Sequence, residues 1–176
     1  MVNKNPKLTI LCQLFYPELI STGQTLTELC EKLSKKGVEI KVLCAPPSLQ
    51  DQKTKIEKEI NYKGIKIKRL WATRFKKKST LGKLLNHISF SISLLTMCIL
   101  SKDKSPMLVL TNPPFLGILG LMIAKIKRRP FLYLVFDIYP ETAINCGLLS
   151  TYNPLTLCWK KLNKLTSFHD IEWNWI

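Results

Sequence analysis

Hydrophobic positions early in the chain form a compact run, a helical stripe and an alternating run. Leu8–Leu14 is compact and is followed by loop residues, which predicts a buried β-strand. A helix ending at Gly37 is predicted next, because four apolar residues recur at the i, i+3, i+4 and i+7 spacing of one helical face: Leu26, Leu29, Cys30 and Leu33. Glu39–Ala45 alternates polar and apolar residues and predicts a second strand.

The rest of the chain continues this order of strand and helix. Further strands are predicted at Gly64–Ala72, Met107–Thr111 and Phe131–Phe136, and helices at Phe115–Lys127 and Asn153–Thr166. The charged stretch Ser48–Lys63 is predicted as a loop with some helix. Strands that alternate with helices and are apolar on both faces are typical of a parallel sheet. The pattern therefore predicts an α/β fold, a Rossmann-like parallel sheet with helices on both faces.

Leu81–Leu100 is a long apolar stretch that allows two interpretations. A transmembrane span needs about 20 apolar residues, and this stretch contains Lys83, Asn86, His87 and several serines. It is thus a marginal span. One interpretation is an ordinary core helix beside a solvated lysine loop. The other is a helix in a membrane interface, with the preceding RFKKK segment, Arg74–Lys78, against anionic headgroups.

The chain is strongly basic, with 27 Lys and Arg against 12 Asp and Glu and a formal net charge of +15. This charge favours a phosphate-rich partner, although a solvated lysine surface explains many of the lysines equally well. Specific nucleic-acid binding is not expected, because the sequence contains no recognisable binding module or interleaved aromatic and basic motif. The length of 176 residues and the 46% hydrophobic content indicate one globular domain and exclude a disordered protein.

Cysteine and histidine positions argue against a metal site. Six cysteines occur without a CxxC pair, most of them inside apolar runs: Cys12, Cys30, Cys44, Cys98, Cys146 and Cys158. They are interpreted as buried small hydrophobic residues in a reducing compartment. Neither His87 nor His169 lies near a cysteine pair at ligand spacing. A zinc site is therefore not expected, and no cofactor is predicted.

Three predicted loops carry the candidate chemistry. In an open parallel sheet, ligands bind outside the carboxyl ends of the strands. Polar or unusual residues follow three strands there: FYPELISTGQ after the first, TNPPF with Asn112 after Met107–Thr111, and DIYPE after Phe131–Phe136. We expect these loops to converge on one edge of the sheet.

The first loop offers a site for an anionic group. Gly23 lacks a side chain where a helix begins, beside Ser21, Thr22 and Gln24. Free backbone N–H groups at such a position attract a phosphate or carboxylate. Alternatively, the turn alone requires the glycine, and Ser21 and Thr22 are helix caps. Glu18 ends the aromatic, proline and acid sequence of this loop and is a further candidate for substrate binding.

The third loop repeats that sequence pattern. Asp137 and Glu141 flank Tyr139, so a carboxylate could accept a substrate hydroxyl or act as a base while the tyrosine stacks on a ring. The alternative is that Asp137 caps the turn and Tyr139 packs beneath it. His87 could act as a base, but a lone histidine in an apolar helix is more often a satisfied core residue.

Two segments resemble glycosyltransferase family 4. ILCQLFYPELISTGQTLTELCEKLSKKGVEIKVLCAPPS resembles its opening pattern of strand, FxPE, glycine-containing loop, helix, KxGxEV and strand. VFDIYPETAINCGLL is similar to the D-x-x-P-E loop of the subgroup that makes cell-envelope polysaccharides. The resemblance runs from about Leu8 to about Leu165.

The resemblance implies a GT-B architecture, two Rossmann-like domains with the active site in the cleft between them. It implies retaining, metal-independent transfer of a sugar from a nucleotide-sugar to an acceptor, often lipid-linked at the inner membrane face. By position, Gly23 with Ser21 and Thr22 would lie beside the donor diphosphate and the acceptor. Asp137 and Glu141 would line the acceptor side of the cleft. Many relatives have a histidine in the loop after the strand equivalent to FLYLVF, and this chain has none there.

The resemblance also bears on the extent of the chain. Relatives make most donor contacts through a second domain, and this chain ends before it. Residues 1–166 are therefore predicted to form the acceptor-side domain, and residues 167–176 an atypical tail of the kind that a truncation or frameshift produces. The chain is expected to be cytoplasmic, either free or peripheral on the inner face of the plasma membrane, and inactive alone. The alternative is a non-catalytic, membrane-associated binding module or gene remnant.

Overall fold

The structure is a computed structural model that describes residues 5–18, 21–47, 56–75, 80–113, 115–136, 141, 144, 150, 152, 153, 156, 157, 160 and 161. Its elements are β1 (Lys7–Leu11), α1 (Ser21–Lys35), β2 (Glu39–Cys44), β3 (Glu59–Tyr62), β4 (Ile65–Arg69), α2 (Thr80–Leu100), β5 (Met107–Leu110), α3 (Leu116–Lys127) and β6 (Phe131–Leu134). Of the predicted final helix Asn153–Thr166, residues 156, 157, 160 and 161 are described and are helical, residue 153 is described and is not helical, and the other residues lie outside the described set.

The six strands form one sheet in the order β3-β4-β2-β1-β5-β6. Strands β4, β2, β1, β5 and β6 run parallel to one another, and the edge strand β3 pairs antiparallel with β4. The prediction of a Rossmann-like α/β fold is confirmed, with a mixed sheet in place of a purely parallel one. The parallel strands have their carboxyl ends along one edge of the sheet.

The antiparallel strand corrects the prediction for Ser48–Lys63, which was wrong over Glu59–Tyr62. Lys63 and Gly64 both have left-handed backbone angles, with φ of 49° and 82°. Two such residues between strands form a tight hairpin turn. The side-chain oxygen of Asn61 also accepts a hydrogen bond from the Gly64 amide at 3.1 Å. The charged side chains of this segment conceal its alternation of polar and apolar residues. The turn residues Lys63 and Gly64 are therefore the better signal for a strand pair here.

The sheet separates two hydrophobic cores. The first core includes residues of α1 and of the sheet face beneath it: Ile10, Leu26, Cys30, Ile40, Val42 and Ile67. The second core includes residues of α2, α3 and the opposite face: Leu11, Leu43, Phe90, Leu94, Val109 and Ile123. Neighbouring residues of β1 and β2 thus point alternately into the two cores, as expected of strands covered on both faces.

Helix α2 corresponds to the apolar stretch Leu81–Leu100. Among the described residues it is the one helix whose length and composition would allow it to cross a membrane. Only 28% of its most apolar window is buried. Its inner residues belong to the second core, and much of its outer side is exposed. The helix is therefore a core helix on one side and an exposed apolar helix on the other.

Candidate functional site

Backbone hydrogen bonds join three loops at the carboxyl edge of the sheet. The amide of Gln13, after β1, donates to the carbonyl oxygen of Asn112, after β5, at 3.2 Å. The amide of Ala45, after β2, donates to the carbonyl oxygen of Gln13 at 3.1 Å. The predicted convergence of the first two candidate loops is confirmed. We call this surface, residues 12–18, 45–47, 111–113 and 115, the loop edge.

The FYPE segment is held firmly within the loop edge. The ring of Tyr16 stacks on that of Tyr62, with centroids 3.8 Å apart and an interplanar angle of 17°. The Glu18 amide donates to the carbonyl oxygen of Phe15 at 3.0 Å. Glu18 is buried, with 4% of its surface exposed. The aromatic stack and the turn therefore fix the backbone on which this predicted substrate-binding residue sits.

Gly23 lies within the first turn of α1, because that helix already begins at Ser21. A Cβ atom at Gly23 would lie 3.2 Å from the carbonyl oxygen of Glu18. The glycine therefore allows α1 to pack closely on the FYPE backbone. The first four N–H groups of any helix lack intrahelical partners. The attraction of an anion to the N–H groups at the start of α1 stays a prediction.

The two flanking candidates differ in their surroundings. Thr22 is partly buried, whereas Gln24 is exposed. The Gln24 side-chain amide donates to the Glu28 carboxylate at 3.2 Å, one turn further along α1. Gln24 therefore lies on the solvent side of the helix start, where a mobile ligand could replace its contact with Glu28.

The third loop falls mostly outside the described residues, and these include the candidates Asp137 and Tyr139. Glu141 is described, and its carboxylate lies 3.6 Å from the Lys160 ammonium in an ion pair. At the end of β6, the Phe136 amide donates to the Thr111 hydroxyl at 3.2 Å. The start of this loop is therefore tied to the loop edge through the residue before Asn112.

His87 lies next to the loop edge, a position that the sequence interpretation did not assign to it. Its half-buried ring meets the ring of Phe115 edge to face, with centroids 6.4 Å apart. Its Nδ1 atom is buried and has no hydrogen-bond partner among the described residues. Burial, aided by the nearby Lys83 charge, lowers the pKa of this imidazole. A neutral imidazole nitrogen beside a ligand-binding edge can accept a hydrogen bond from a hydroxyl.

Arg69 is a second residue that sequence reasoning missed. It ends β4, and its guanidinium donates to the carbonyl oxygens of Glu57 at 3.0 Å and Tyr16 at 3.5 Å. Its Nε atom is buried and makes no hydrogen bond within the described ranges. The alternation of IKIKR places Arg69 on the same face of β4 as the buried Ile65 and Ile67. Because β4 ends beside the FYPE segment, this cation lies next to the loop edge.

No metal-binding group is found in the part of the chain that the structure describes: no three His, Cys, Asp or Glu side chains are placed to hold an ion. The chemical groups present near the loop edge are backbone N–H donors, carboxylates, an arginine and a neutral imidazole. Such groups can position a polar ligand that carries hydroxyls and an anionic moiety.

No family model matches the chain, and no curated protein matches it significantly. A solved structure does resemble it: sucrose-phosphate synthase from Thermosynechococcus elongatus, with a TM-score of 0.59 and 11% sequence identity. The superposition covers 92% of this chain and 40% of that chain. The chain has the fold of a GT-B half. At 11% identity the similarity establishes the fold alone.

Proposed function

We propose that the chain is the acceptor-side, N-terminal half of a retaining glycosyltransferase. Its reaction moves a sugar from a nucleotide-sugar to a lipid-linked polysaccharide precursor, without a metal or other cofactor. The observation that carries this proposal is the loop edge, where the Gln13–Asn112 hydrogen bond joins the loops after β1 and β5. Open α/β sheets bind ligands at this edge, and here it belongs to a GT-B half.

The residues of the loop edge suit the two substrates. The free N–H groups of Ser21–Gln24 are suited to the donor diphosphate, and Arg69 adds a cation on the same side of the sheet. Asn112 carries an amide that can bind acceptor hydroxyls. The FYPE and DIYPE sequences support assignment to family 4 and to its cell-envelope subgroup.

The third loop completes the proposed acceptor side. Asp137 and Glu141 provide carboxylates for substrate hydroxyls, and Tyr139 provides a ring for stacking against a sugar. His87, close to Phe115, provides a neutral nitrogen as a further hydrogen-bond acceptor. A second half supplies the donor-binding domain. The sugar then passes from the donor to the acceptor in the cleft between the two halves, in the cytoplasm.

A transfer assay with labelled nucleotide-sugars and a membrane lipid extract tests this function. The purified chain alone is expected to transfer no sugar. Together with a donor-binding half encoded in the DNA that follows codon 166, it is expected to produce a labelled lipid whose new glycosidic bond retains the anomeric configuration of the donor. Transfer by the chain alone would contradict the assignment as a half. An inverted product would contradict the retaining mechanism.

A binding measurement separates a half enzyme from a non-catalytic module. Calorimetric titration of the paired halves with each nucleotide-sugar should give a stoichiometric complex that Arg69→Gln weakens. Lys58→Gln serves as the control, because it removes one positive charge, as Arg69→Gln does, from an exposed residue just before β3. If no nucleotide-sugar binds to folded, paired halves, the glycosyltransferase function is refuted and the binding-module alternative replaces it.

A further inference from the structure

Helix α2 has two opposed apolar faces. Its inner face buries Phe90, Leu94 and Cys98 in the second core. Its outer face carries six apolar residues that are between 39 and 66% exposed, and we call them the outer stripe: Leu81, Leu84, Leu85, Ile88, Ile92 and Ile99. The first five have the i, i+3, i+4, i+7 and i+11 spacing that places side chains on one face of a helix.

The apolar surface extends beyond α2 at its N-terminal end, and a lysine meets the helix near its C-terminal end. Near its N-terminus, Phe75 is exposed and is held to Asn86 by two hydrogen bonds, from its amide at 2.9 Å and to its carbonyl oxygen at 3.1 Å. Near its C-terminus, the Lys127 ammonium donates to the Ile99 carbonyl oxygen at 2.9 Å, which joins the two helices. A 21-residue helix is about 30 Å long. An exposed apolar surface of this length usually marks an interaction site.

The inner contacts of α2 exclude a transmembrane orientation of this helix within the folded domain. The Ser89 hydroxyl accepts a hydrogen bond from the Thr73 amide at 2.9 Å, so polar contacts as well as the core fix α2 to the sheet. If α2 crossed a bilayer, the charged sheet packed beside it would have to enter the hydrocarbon, at a cost of several kcal/mol per charge. The outer stripe can meet lipid only with α2 lying along the membrane surface.

The charged residues of α2 and α3 are all basic. Neither α2 nor α3 contains an Asp or a Glu. Arg74 and Lys83 lie towards the N-terminal end of α2, and Lys125, Lys127 and Arg128 lie at the C-terminal end of α3. Cations that flank an apolar face attract anionic headgroups at about 1 kcal/mol for each Lys or Arg near the surface. A second copy of this chain would instead bring like charges together.

We propose that the outer stripe is a docking surface for an anionic lipid bilayer, with α2 in the plane of the membrane interface. Leu84, Ile88 and Ile92 enter the boundary between headgroups and acyl chains, while Phe90 and Leu94 stay in the protein core. This orientation holds the domain at the membrane with its sheet outside the bilayer. The docking surface is independent of the sugar transfer proposed above.

Vesicle co-sedimentation tests the docking surface with two matched double variants of the full chain. Leu84→Gln with Leu85→Gln changes the outer stripe. The control, Leu132→Gln with Leu157→Gln, changes two leucines that are each 55% exposed elsewhere on the molecule. Vesicles contain phosphatidylglycerol and phosphatidylcholine, or phosphatidylcholine alone. Circular dichroism before each measurement establishes that both variants are folded.

The unmodified chain and the control are expected to bind the anionic vesicles. The outer-stripe variant should bind them about tenfold more weakly, because two leucines of the apolar docking surface become polar. Lys125→Gln should weaken binding by about fivefold, as expected for one interfacial charge. Alkaline carbonate should release the bound chain, since α2 lies on the membrane.

Four results would overturn the proposal. Equal binding by both double variants would exclude the outer stripe, and equal binding to neutral vesicles would exclude attraction to anionic lipid. Resistance to carbonate would indicate a spanning helix. A dimer in sedimentation velocity without lipid, abolished only by the outer-stripe variant, would assign the surface to a second copy. No step of this experiment involves a sugar, so its outcome does not depend on the transferase function.

Discussion

Glycines in α3 determine how closely that helix approaches the sheet. A Cβ atom at Gly120 would lie 2.7 Å from the Phe131 ring and 2.8 Å from a Val109 methyl group, both in the second core. A Cβ atom at Gly117 would instead meet the outer end of the partly buried Tyr133 ring, at 2.5 Å. The first position is closed by the core on two sides, whereas the second is bounded by a side chain that can turn outward.

Gly120→Ala is therefore expected to destabilise the domain by roughly 1–3 kcal/mol, the usual cost of overpacking a core. Gly117→Ala should cost less, because only one ring must move. Urea unfolding followed by circular dichroism measures both changes. Equal costs, or a greater cost at Gly117, would show that the ring of Tyr133 is fixed more firmly than the Phe131 and Val109 contacts.

His87 predicts a particular dependence of stability on pH. Burial, with a contribution from the Lys83 charge, lowers its pKa in the folded state below the ordinary histidine value of 6.5. The unfolded chain therefore binds the proton more readily than the folded chain. The stability associated with neutral His87 is complete above the unfolded pKa and declines as the pH falls from there through the folded pKa.

Urea unfolding at pH 7.5 and at pH 5 measures this effect. The loss of stability between these pH values should be smaller in His87→Gln than in the unmodified chain, since glutamine does not titrate. An NMR titration of the His87 ring should independently give a pKa below that of a histidine in the urea-unfolded chain. A folded pKa equal to or above the unfolded value would contradict the buried, neutral imidazole.

His87 and Arg69 also mark the limit of prediction from single residues. The candidates Glu18, Gly23 and Asn112 follow from loop composition, and the structure places all three around one edge. His87 and Arg69 lie within regular elements: His87 is in an apolar helix, and Arg69 ends a strand on the same face as Ile65 and Ile67. Their proximity to the loop edge depends on where α2 crosses the sheet and where β4 ends. The local pattern of apolar and polar residues does not specify either position.

At the scale of elements, the connection between α2 and β5 joins β1 to the residues after α3. The Asp103 carboxylate accepts hydrogen bonds from the Thr9 hydroxyl at 3.0 Å and the Ser105 amide at 2.9 Å. It also lies 3.9 Å from the guanidinium of Arg129, whose side chain is almost fully buried. Partial burial would raise the pKa of Asp103, but the hydrogen bonds from Ser105 and Thr9 and the Arg129 charge outweigh it and lower that pKa.

Asp103→Asn is expected to destabilise the domain by roughly 1–3 kcal/mol, because it removes the charge beside buried Arg129 and one of two acceptors. Because the folded pKa is lowered, the contribution of Asp103 is present above its unfolded pKa and is lost as the pH falls through the folded pKa. The variant should therefore lose less stability than the unmodified chain on acidification. Lys104→Gln, at an exposed neighbour, is the control. Equal acid sensitivity of the unmodified chain and Asp103→Asn would contradict this role.

The elements were predictable to different degrees for physical reasons. The parallel strands and α1 were found because each has a regular apolar spacing that matches its burial in one of the two cores. β3 was missed because an edge strand with charged side chains does not have a continuous apolar run. The surroundings of the outer side of α2 were left open, since an apolar helix looks the same in sequence whether protein or lipid covers its second face.

At the scale of the whole molecule, the two cores enclose four cysteines, all of them buried and free. Burial raises the pKa of Cys30 and Cys44 to about 12 and that of Cys98 to about 11, although Cys44 also lies near the opposing charge of Arg69. Burial raises the pKa of Cys12 as well. The prediction that these cysteines are buried small hydrophobic residues is confirmed for all four.

Because only the thiolate reacts readily with alkylating reagents, these thiols should react only when the domain unfolds. A chain with Cys146→Ser and Cys158→Ser leaves the four core thiols as its sole cysteines. At pH 8, mass spectrometry should detect almost no iodoacetamide adduct in the native chain and four adducts in urea.

Cys12, Cys30 and Cys44 belong to the first core and Cys98 to the second. If the cores unfold as one unit, all four should become reactive at the same urea concentration. Labelling of Cys98 alone at lower urea would instead show that α2 separates from the sheet before α1 does.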